Sequence, residues 1–150
     1  MRVLIADDDR ELASAIATSI RHWNEEVVAT VTTGGLDVIR NVDRFQPDVV
    51  ITDIIMPRLN GLTVCHHILS RFPATKIILF SGRLDAYHPH VVNSGARAFL
   101  PKPVKLAELR RVLEEVAAVG PDASGMITLP PPASPLLFPS LLQRRQMLNS

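Results

Sequence analysis

Five short apolar runs, rich in β-branched or aromatic residues, alternate along this chain with segments of helical periodicity. The runs are residues 3–6, 27–31, 49–52, 77–80 and 98–100. Continuous apolar runs of strand length are typical of parallel strands that are buried on both faces. Parallel neighbours need long crossover connections, which are usually helical and right-handed. The alternation therefore predicts an α/β fold of five βα units.

The segments between the runs carry apolar residues at spacings of three and four, as amphipathic helices do. In the second such segment these residues are Leu36 and Ile39, and in the last they are Leu106, Leu109, Val112, Leu113 and Val116. Prolines and glycines lie at the boundaries, as Pro47 does before the third run. We expect a flavodoxin-like, doubly wound, five-stranded parallel sheet with strand order 2-1-3-4-5 and helices on both faces.

The composition changes at Gly120. The segment from Pro121 to Ser150 contains six prolines, three of them adjacent, and lacks the apolar periodicity that a second core would need. We therefore expect one domain over 1–119 and a Pro-rich linker or disordered tail over 120–150. A short helix over 140–148 is the alternative, although a helix of that length is marginal in water.

Charge and targeting signals narrow the class of protein. The formal net charge is +1, with no basic field that would favour direct binding of nucleic acid. The single cysteine, Cys65, cannot form an internal disulfide, so an oxidising compartment is not required. No apolar stretch approaches the roughly 20 residues of a membrane span, and the first residues lack a signal-peptide pattern. We expect a cytoplasmic protein without membrane contact.

The candidate site residues follow four of the five apolar runs. Asp7 and Asp8 follow the first, Asp53 the third, Ser81 the fourth and Lys102 the fifth. Because the carboxyl ends of parallel strands meet at one edge of the sheet, we expect these side chains to converge. Three acids, a hydroxyl and an amine are what a site needs to hold a divalent cation and to accept a phosphoryl group on a carboxylate.

The three acids would repel one another if they were close together. At 4 Å and an effective dielectric near 20, each pair costs about 4 kcal/mol. A cation must therefore lie among Asp7, Asp8 and Asp53, and Mg²⁺ suits a site made of oxygen ligands. The third acid of the run, Asp9, is better explained as the N-cap of the following helix.

The order, spacing and types of these residues resemble the response-regulator receiver domain, the phospho-acceptor of two-component signalling. The resemblance implies that Asp53 accepts a phosphoryl group from a sensor histidine kinase or a phosphotransfer protein. It implies that Asp8, Asp53 and the Ile55 carbonyl are direct Mg²⁺ ligands and that Asp7 is a ligand through water. It also implies that Lys102, before a cis proline, pairs with a phosphoryl oxygen.

The resemblance further assigns a conformational switch. Ser81 occupies the switch hydroxyl position and Phe99 the switch aromatic position, so phosphorylation would change the face of the fourth helix, fifth strand and fifth helix that a downstream effector reads. Ile55 and Arg83 lie where the family varies the residues beside the phosphoryl group, and Ile55 cannot orient a water molecule. The expected role is a signalling switch and not an enzyme, and homodimer formation stays open.

Two other classes share parts of this pattern. A small Mg²⁺-dependent phosphatase or phosphotransferase of the haloacid-dehalogenase type also uses a first-strand aspartate, a hydroxyl and a lysine. That class wants an Asp-x-Asp motif followed by Thr or Val and a cap domain, whereas Asp9 is followed here by Arg10 and Glu11. A degenerate receiver that only binds partners is the second alternative, but every position of the expected site is filled.

Overall fold

The computed structural model describes residues 1–83, 88–118 and 136–137, and this part of the chain forms a sheet flanked by helices. The five strands expected from the sequence are β1 (Arg2–Ala6), β2 (Glu26–Val31), β3 (Val49–Asp53), β4 (Lys76–Ser81) and β5 (Ala98–Pro101). The helices are α1 (Arg10–His22), α2 (Gly35–Phe45), α3 (Gly61–Arg71), α4 (Pro89–Val92) and α5 (Leu106–Ala118). Every predicted strand boundary lies within one residue of the observed one.

The sheet has the predicted strand order. Its strands follow one another as β2-β1-β3-β4-β5, and all neighbours among these five pair in parallel. β3 lies at the centre and all five of its residues are buried. The continuous apolar run of β3 is explained by this position, because a central strand is covered on both faces.

Helices cover both faces of the sheet, as predicted. One apolar cluster joins the sheet to α2, α3 and α4 through buried residues that include Val38, Val42, Val64, Ile68 and Val91. A second cluster joins the opposite face to α1 and α5 through Ile16, Ile20, Leu109 and Val112. In the part of the chain that the structure covers, no helix is long and apolar enough to cross a bilayer.

Two leucines expected on apolar helix faces are exposed. Leu36 and Leu106 each keep 42% of their surface accessible, and each lies in the first turn of its helix. In α2 the buried position of that turn belongs to Gly35, whose backbone lies so close to the Leu59 carbonyl that a Cβ atom would overlap it. The packed face of α2 therefore begins at Gly35 and Val38 and does not include Leu36.

A sixth strand, which the sequence did not predict, lies at the end of the sheet. β6 (Leu136–Leu137) pairs antiparallel with β5, so that Leu137 lies opposite Ala98 and Leu136 opposite Phe99. These two residues belong to the segment 120–150 for which we expected a linker or disordered tail. The remainder of that segment, including the alternative helix over 140–148, lies outside the described residues.

Candidate functional site

The predicted acids come together at the carboxyl edge of the sheet. β1 and β3 are parallel neighbours with Ala6 opposite Thr52, so Asp7 and Asp53 follow at the same level. Asp7 is fully buried and Asp53 is 5% exposed, whereas Asp8 is exposed to solvent. Carboxylate oxygens of the three acids lie within 4.8 Å of one another, and this is the group of potential metal ligands found among the described residues.

Lys102 bridges two of these acids. Its Nζ lies 2.8 Å from Oδ2 of Asp7 and 3.0 Å from Oδ2 of Asp53. The Lys102 amide donates to the Ser81 carbonyl at 2.9 Å, which holds the backbone of Lys102 at the end of β4. The bond from Lys102 to Pro103 is cis. The ammonium also lies 5.1 Å from the centroid of the Phe80 ring, within the range of a cation–π contact. One cation thus neutralises part of the buried negative charge.

The charges at this edge influence one another. Burial raises the pKa of Asp7 above its usual value, against the lowering effect of hydrogen bonds from Lys102 and from the Asp9 amide. Burial alone would lower the pKa of Lys102, but its hydrogen bonds to Asp7 and Asp53 raise that pKa above the usual value. Lys102 is therefore held in its charged form, and Asp7 is the acid whose ionisation is costly.

Asp53 is fixed by the loop that follows it. Its Oδ1 accepts the Ile55 amide at 3.2 Å, and the Ile54 carbonyl accepts the Gly61 amide at 2.7 Å. The start of α3 consequently lies directly against the end of β3. A Cβ atom at position 61 would overlap the Asp53 carbonyl oxygen, so only glycine fits there without a shift.

The sequence does not predict this contribution of Gly61, which there is one of the prolines and glycines at the boundaries of the apolar runs. The sequence shows only that Gly61 comes immediately after Asn60. Asn60 is the N-cap of α3, and its side chain accepts the Thr63 amide at 3.0 Å. A glycine next to a helix cap has many causes. Nothing in the pattern indicates that the neighbour is the Asp53 backbone.

Asp9 has the structural role predicted for it. Its side-chain oxygen accepts the backbone amides of Glu11 and Leu12 at 3.1 and 3.2 Å, which makes Asp9 the N-cap of α1. The Asp9 amide in turn donates to Oδ1 of Asp7 at 2.8 Å. The cap therefore also orients a buried acid of the site, although the Asp9 carboxylate itself is used by the helix.

The remaining predicted residues lie around this cluster. Ser81 ends β4 one residue beyond Phe80, which lies opposite Asp53. Ser81 is 2% exposed, and its hydroxyl oxygen accepts the Arg83 amide at 3.1 Å. Ile55 is 43% exposed, and Arg83 is also exposed. Phe99 is buried in the cluster that includes Val91 of α4.

Comparisons with known proteins agree with this geometry. The sequence model of the family described as "Response regulator receiver domain" matches residues 3–114. Response regulator MprA of Mycobacterium leprae is 33% identical over 111 residues, which cover 73% of this chain and 47% of that protein. Chemotaxis protein CheY of Listeria monocytogenes is 29% identical over 118 residues, which cover 78% of this chain and 98% of that protein.

A solved structure gives the same result. The crystal structure of a DNA-binding response regulator of the LuxR family from Staphylococcus aureus matches with a TM-score of 0.70 and 28% identity, covering 77% of this chain and 97% of that one. The chain spans about half the length of MprA.

Response regulators pair with histidine kinases and effectors, and the similarity gives no support to the haloacid-dehalogenase alternative. The family match extends over most of the chain and includes every residue of the acidic site. The fold and the cluster of three aspartates agree with it. This chain belongs to the family of response regulator receiver domains.

Proposed function

We propose that Asp53 accepts a phosphoryl group from a sensor histidine kinase or a phosphotransfer protein, in a Mg²⁺-dependent reaction. The observation that carries this proposal is the bridge from Asp7 through Lys102 to Asp53, with 2.8 and 3.0 Å between the charged atoms. Asp53 is the acid on the central strand, and its carboxylate is held by both Lys102 and the Ile55 amide. A fixed, partly neutralised carboxylate of this kind suits a nucleophile.

The donor set fits Mg²⁺. Three carboxylates and one ammonium leave the cluster negative, and hard oxygen ligands are those that Mg²⁺ prefers. Asp8, Asp53 and the Ile55 carbonyl would bind the ion directly, and Asp7 would bind it through water. When bound, Mg²⁺ would neutralise negative charge on the oxygens of the incoming phosphoryl group.

Asp53, Lys102 and Ser81 each have a separate role in the phosphoryl transfer. A carboxylate oxygen of Asp53 attacks the phosphorus, the bond from phosphorus to the donor histidine nitrogen breaks, and that nitrogen keeps the bonding electron pair. Lys102 pairs with a phosphoryl oxygen and stabilises the charge that develops there. The Ser81 hydroxyl donates to another phosphoryl oxygen. The product is an aspartyl phosphate, so the domain works as a phospho-acceptor and not as a multiple-turnover enzyme.

The signal would then pass from the site to the face formed by α4, β5 and α5. Ser81 is linked to β5 because its carbonyl accepts the Lys102 amide, and Phe99 lies on that strand. Since the Phe99 ring is already buried, it would respond by closer packing and not by a large rotation. A downstream effector, or a second copy of the chain, would read the altered face in the cytoplasm.

Labelling with acetyl phosphate tests this proposal. The wild type should become phosphorylated in the presence of Mg²⁺ and not in the presence of EDTA, whereas Asp53→Asn should not be labelled. Asp9→Asn is the matched control, because Asp9 lies in the same acidic run and caps α1 instead of facing the phosphoryl group. Equal labelling of wild type and Asp53→Asn would show that another residue is the acceptor.

A further inference from the structure

The outer edge of β5 is occupied by the chain itself. Without β6, β5 would be the last strand of the parallel sheet and would present a row of backbone N–H and C=O groups without partners. In the structure Ala98 and Phe99 of this strand pair with Leu137 and Leu136. β6 is antiparallel to β5, whereas the strands of the five βα units are all parallel to one another.

The sequence around β6 limits the pairing to a short stretch. Pro135 and Pro139 bracket three apolar residues at 136–138. Proline has no amide hydrogen and interrupts a ladder of hydrogen bonds, so a strand cannot extend far beyond this bracket on either side. The two prolines therefore limit any strand here to a short apolar stretch.

The paired edge belongs to β5, one of the three elements of the proposed output face. β5 runs between the elements α4 and α5 in the chain, and the backbone of Phe99 is the partner of Leu136. The Phe99 side chain is buried in the cluster that includes Val91 of α4. A strand on this edge thus contacts the same residue whose packing would report the state of Asp53.

We propose that the β5 edge is a strand-accepting surface and that the segment at Leu136–Leu137 of the same chain occupies it in the resting protein. A partner that docks on the face of α4, β5 and α5 must displace this segment. The pairing does not depend on phosphoryl transfer. Only the competition with an output partner rests on the proposed function.

Hydrogen exchange of single amides by NMR, on the full 150-residue chain, tests the occupancy. Because successive amides of a strand point to opposite sides, the double variant Leu136→Pro/Leu137→Pro removes whichever amide faces β5. We expect at least one amide among Ala98, Phe99 and Leu100 to exchange severalfold faster in this variant. The matched control, Leu141→Pro/Leu142→Pro, alters the same region of sequence outside the paired residues and should leave the β5 amides unchanged.

Two results would overturn the proposal. Equal exchange of the β5 amides in wild type and in Leu136→Pro/Leu137→Pro would mean that the segment does not occupy the edge. Protection that increases with protein concentration would mean that a second copy donates the strand. Acetyl phosphate labelling of Asp53 in the same variants is a separate measurement, since none of these substitutions touches the acidic site. Absence of labelling in the wild type would count against the proposed function, and the exchange rates alone decide the occupancy.

Discussion

The ammonium of Lys102 lies 3.0 Å from the carboxylate of Asp53, and the two residues are 49 positions apart in the chain. The same nitrogen contacts Asp7 at 2.8 Å, so one lysine connects β5 with the ends of β1 and β3. Asp7 and Asp53 are buried, whereas the Lys102 side chain is 25% exposed. The resting site is thus stabilised by a single cation that a phosphoryl group would have to share.

We expect Lys102→Met to destabilise the protein in buffer without Mg²⁺. Removing the partner of buried carboxylates costs several kcal/mol, and the partial exposure of Lys102 reduces this to roughly 2 kcal/mol. Addition of Mg²⁺ should restore part of the loss, because the divalent cation supplies the missing charge. Urea denaturation with and without Mg²⁺ measures both effects. Lys105→Met, an exposed lysine of the same loop, is the control, and an equal loss in both variants would contradict the prediction.

The neighbouring acids Asp8 and Asp9 should give opposite phenotypes. Asp8→Ala should weaken Mg²⁺ binding strongly and change stability little, since its carboxylate belongs to the acidic cluster and is exposed. Asp9→Ala should reduce the free energy of unfolding by about 1 kcal/mol through loss of the α1 cap, with a smaller effect on Mg²⁺. Calorimetric titration of Mg²⁺ and thermal denaturation of both variants test the contrast. Equal losses of Mg²⁺ affinity would mean that the acidic run has been assigned in the wrong register.

The raised pKa of Asp7 predicts a pH dependence of stability without metal. A folded-state pKa above the unfolded value of about 3.9 gives a contribution that is complete below that value and is lost as the pH rises through the folded pKa. Asp7→Asn lacks this titration. In EDTA, the unfolding free energy of the wild type relative to Asp7→Asn should therefore decrease as the pH rises above about 4.

Chemical denaturation of wild type and Asp7→Asn at several pH values measures this trend. Mg²⁺ should weaken or reverse it, because a bound cation favours the ionised carboxylate. A wild type that gains stability relative to the variant with rising pH in EDTA would mean that Lys102 lowers the pKa of Asp7 by more than burial raises it.

The lifetime of the aspartyl phosphate should depend on Ile55. Water must approach the phosphorus in line, and the flanking residues Ile55 and Arg83 offer no amide or carboxylate that could orient it. We expect slow loss of the phosphoryl group in the wild type and a severalfold shorter half-life in Ile55→Asn or Ile55→Glu. Leu36→Asn, a change at a similarly exposed apolar residue, should leave the half-life unchanged. An unchanged or longer half-life in the Ile55 variants would show that Ile55 does not control access of the water.

The strands and the convergence of the acids could be predicted because they follow from local pattern and from one property of parallel sheets. Buried strands have continuous apolar runs, and their carboxyl ends share an edge, so the acidic cluster follows from the positions of Asp7, Asp8 and Asp53. The cap formed by Asp9 is equally local, since it uses amides two and three residues ahead. These features depend on neighbours in the sequence or on the alternation of elements.

The features that were missed depend on distant contacts. Leu36 was expected to face the core, but Gly35 packs against the Leu59 backbone and Leu36 is exposed. Gly61 packs against the Asp53 carbonyl, a contact that a glycine at a boundary between elements does not reveal. The two residues of β6 are too few to show a periodicity, and their pairing depends on an edge that exists only after the sheet has formed.

The 95 positions that separate Asp7 from Lys102 have a consequence for synthesis on the ribosome. The acids of β1 and β3 emerge first, and the lysine that neutralises them emerges only with the last parallel strand. A nascent chain that stops short of residue 102 contains the acids that repel one another but not the lysine that neutralises them. This repulsion disfavours a compact sheet made of the first strands alone. The contact of Lys102 with Asp7 and Asp53 thus also means that the domain becomes stable only when its last parallel strand has been synthesised.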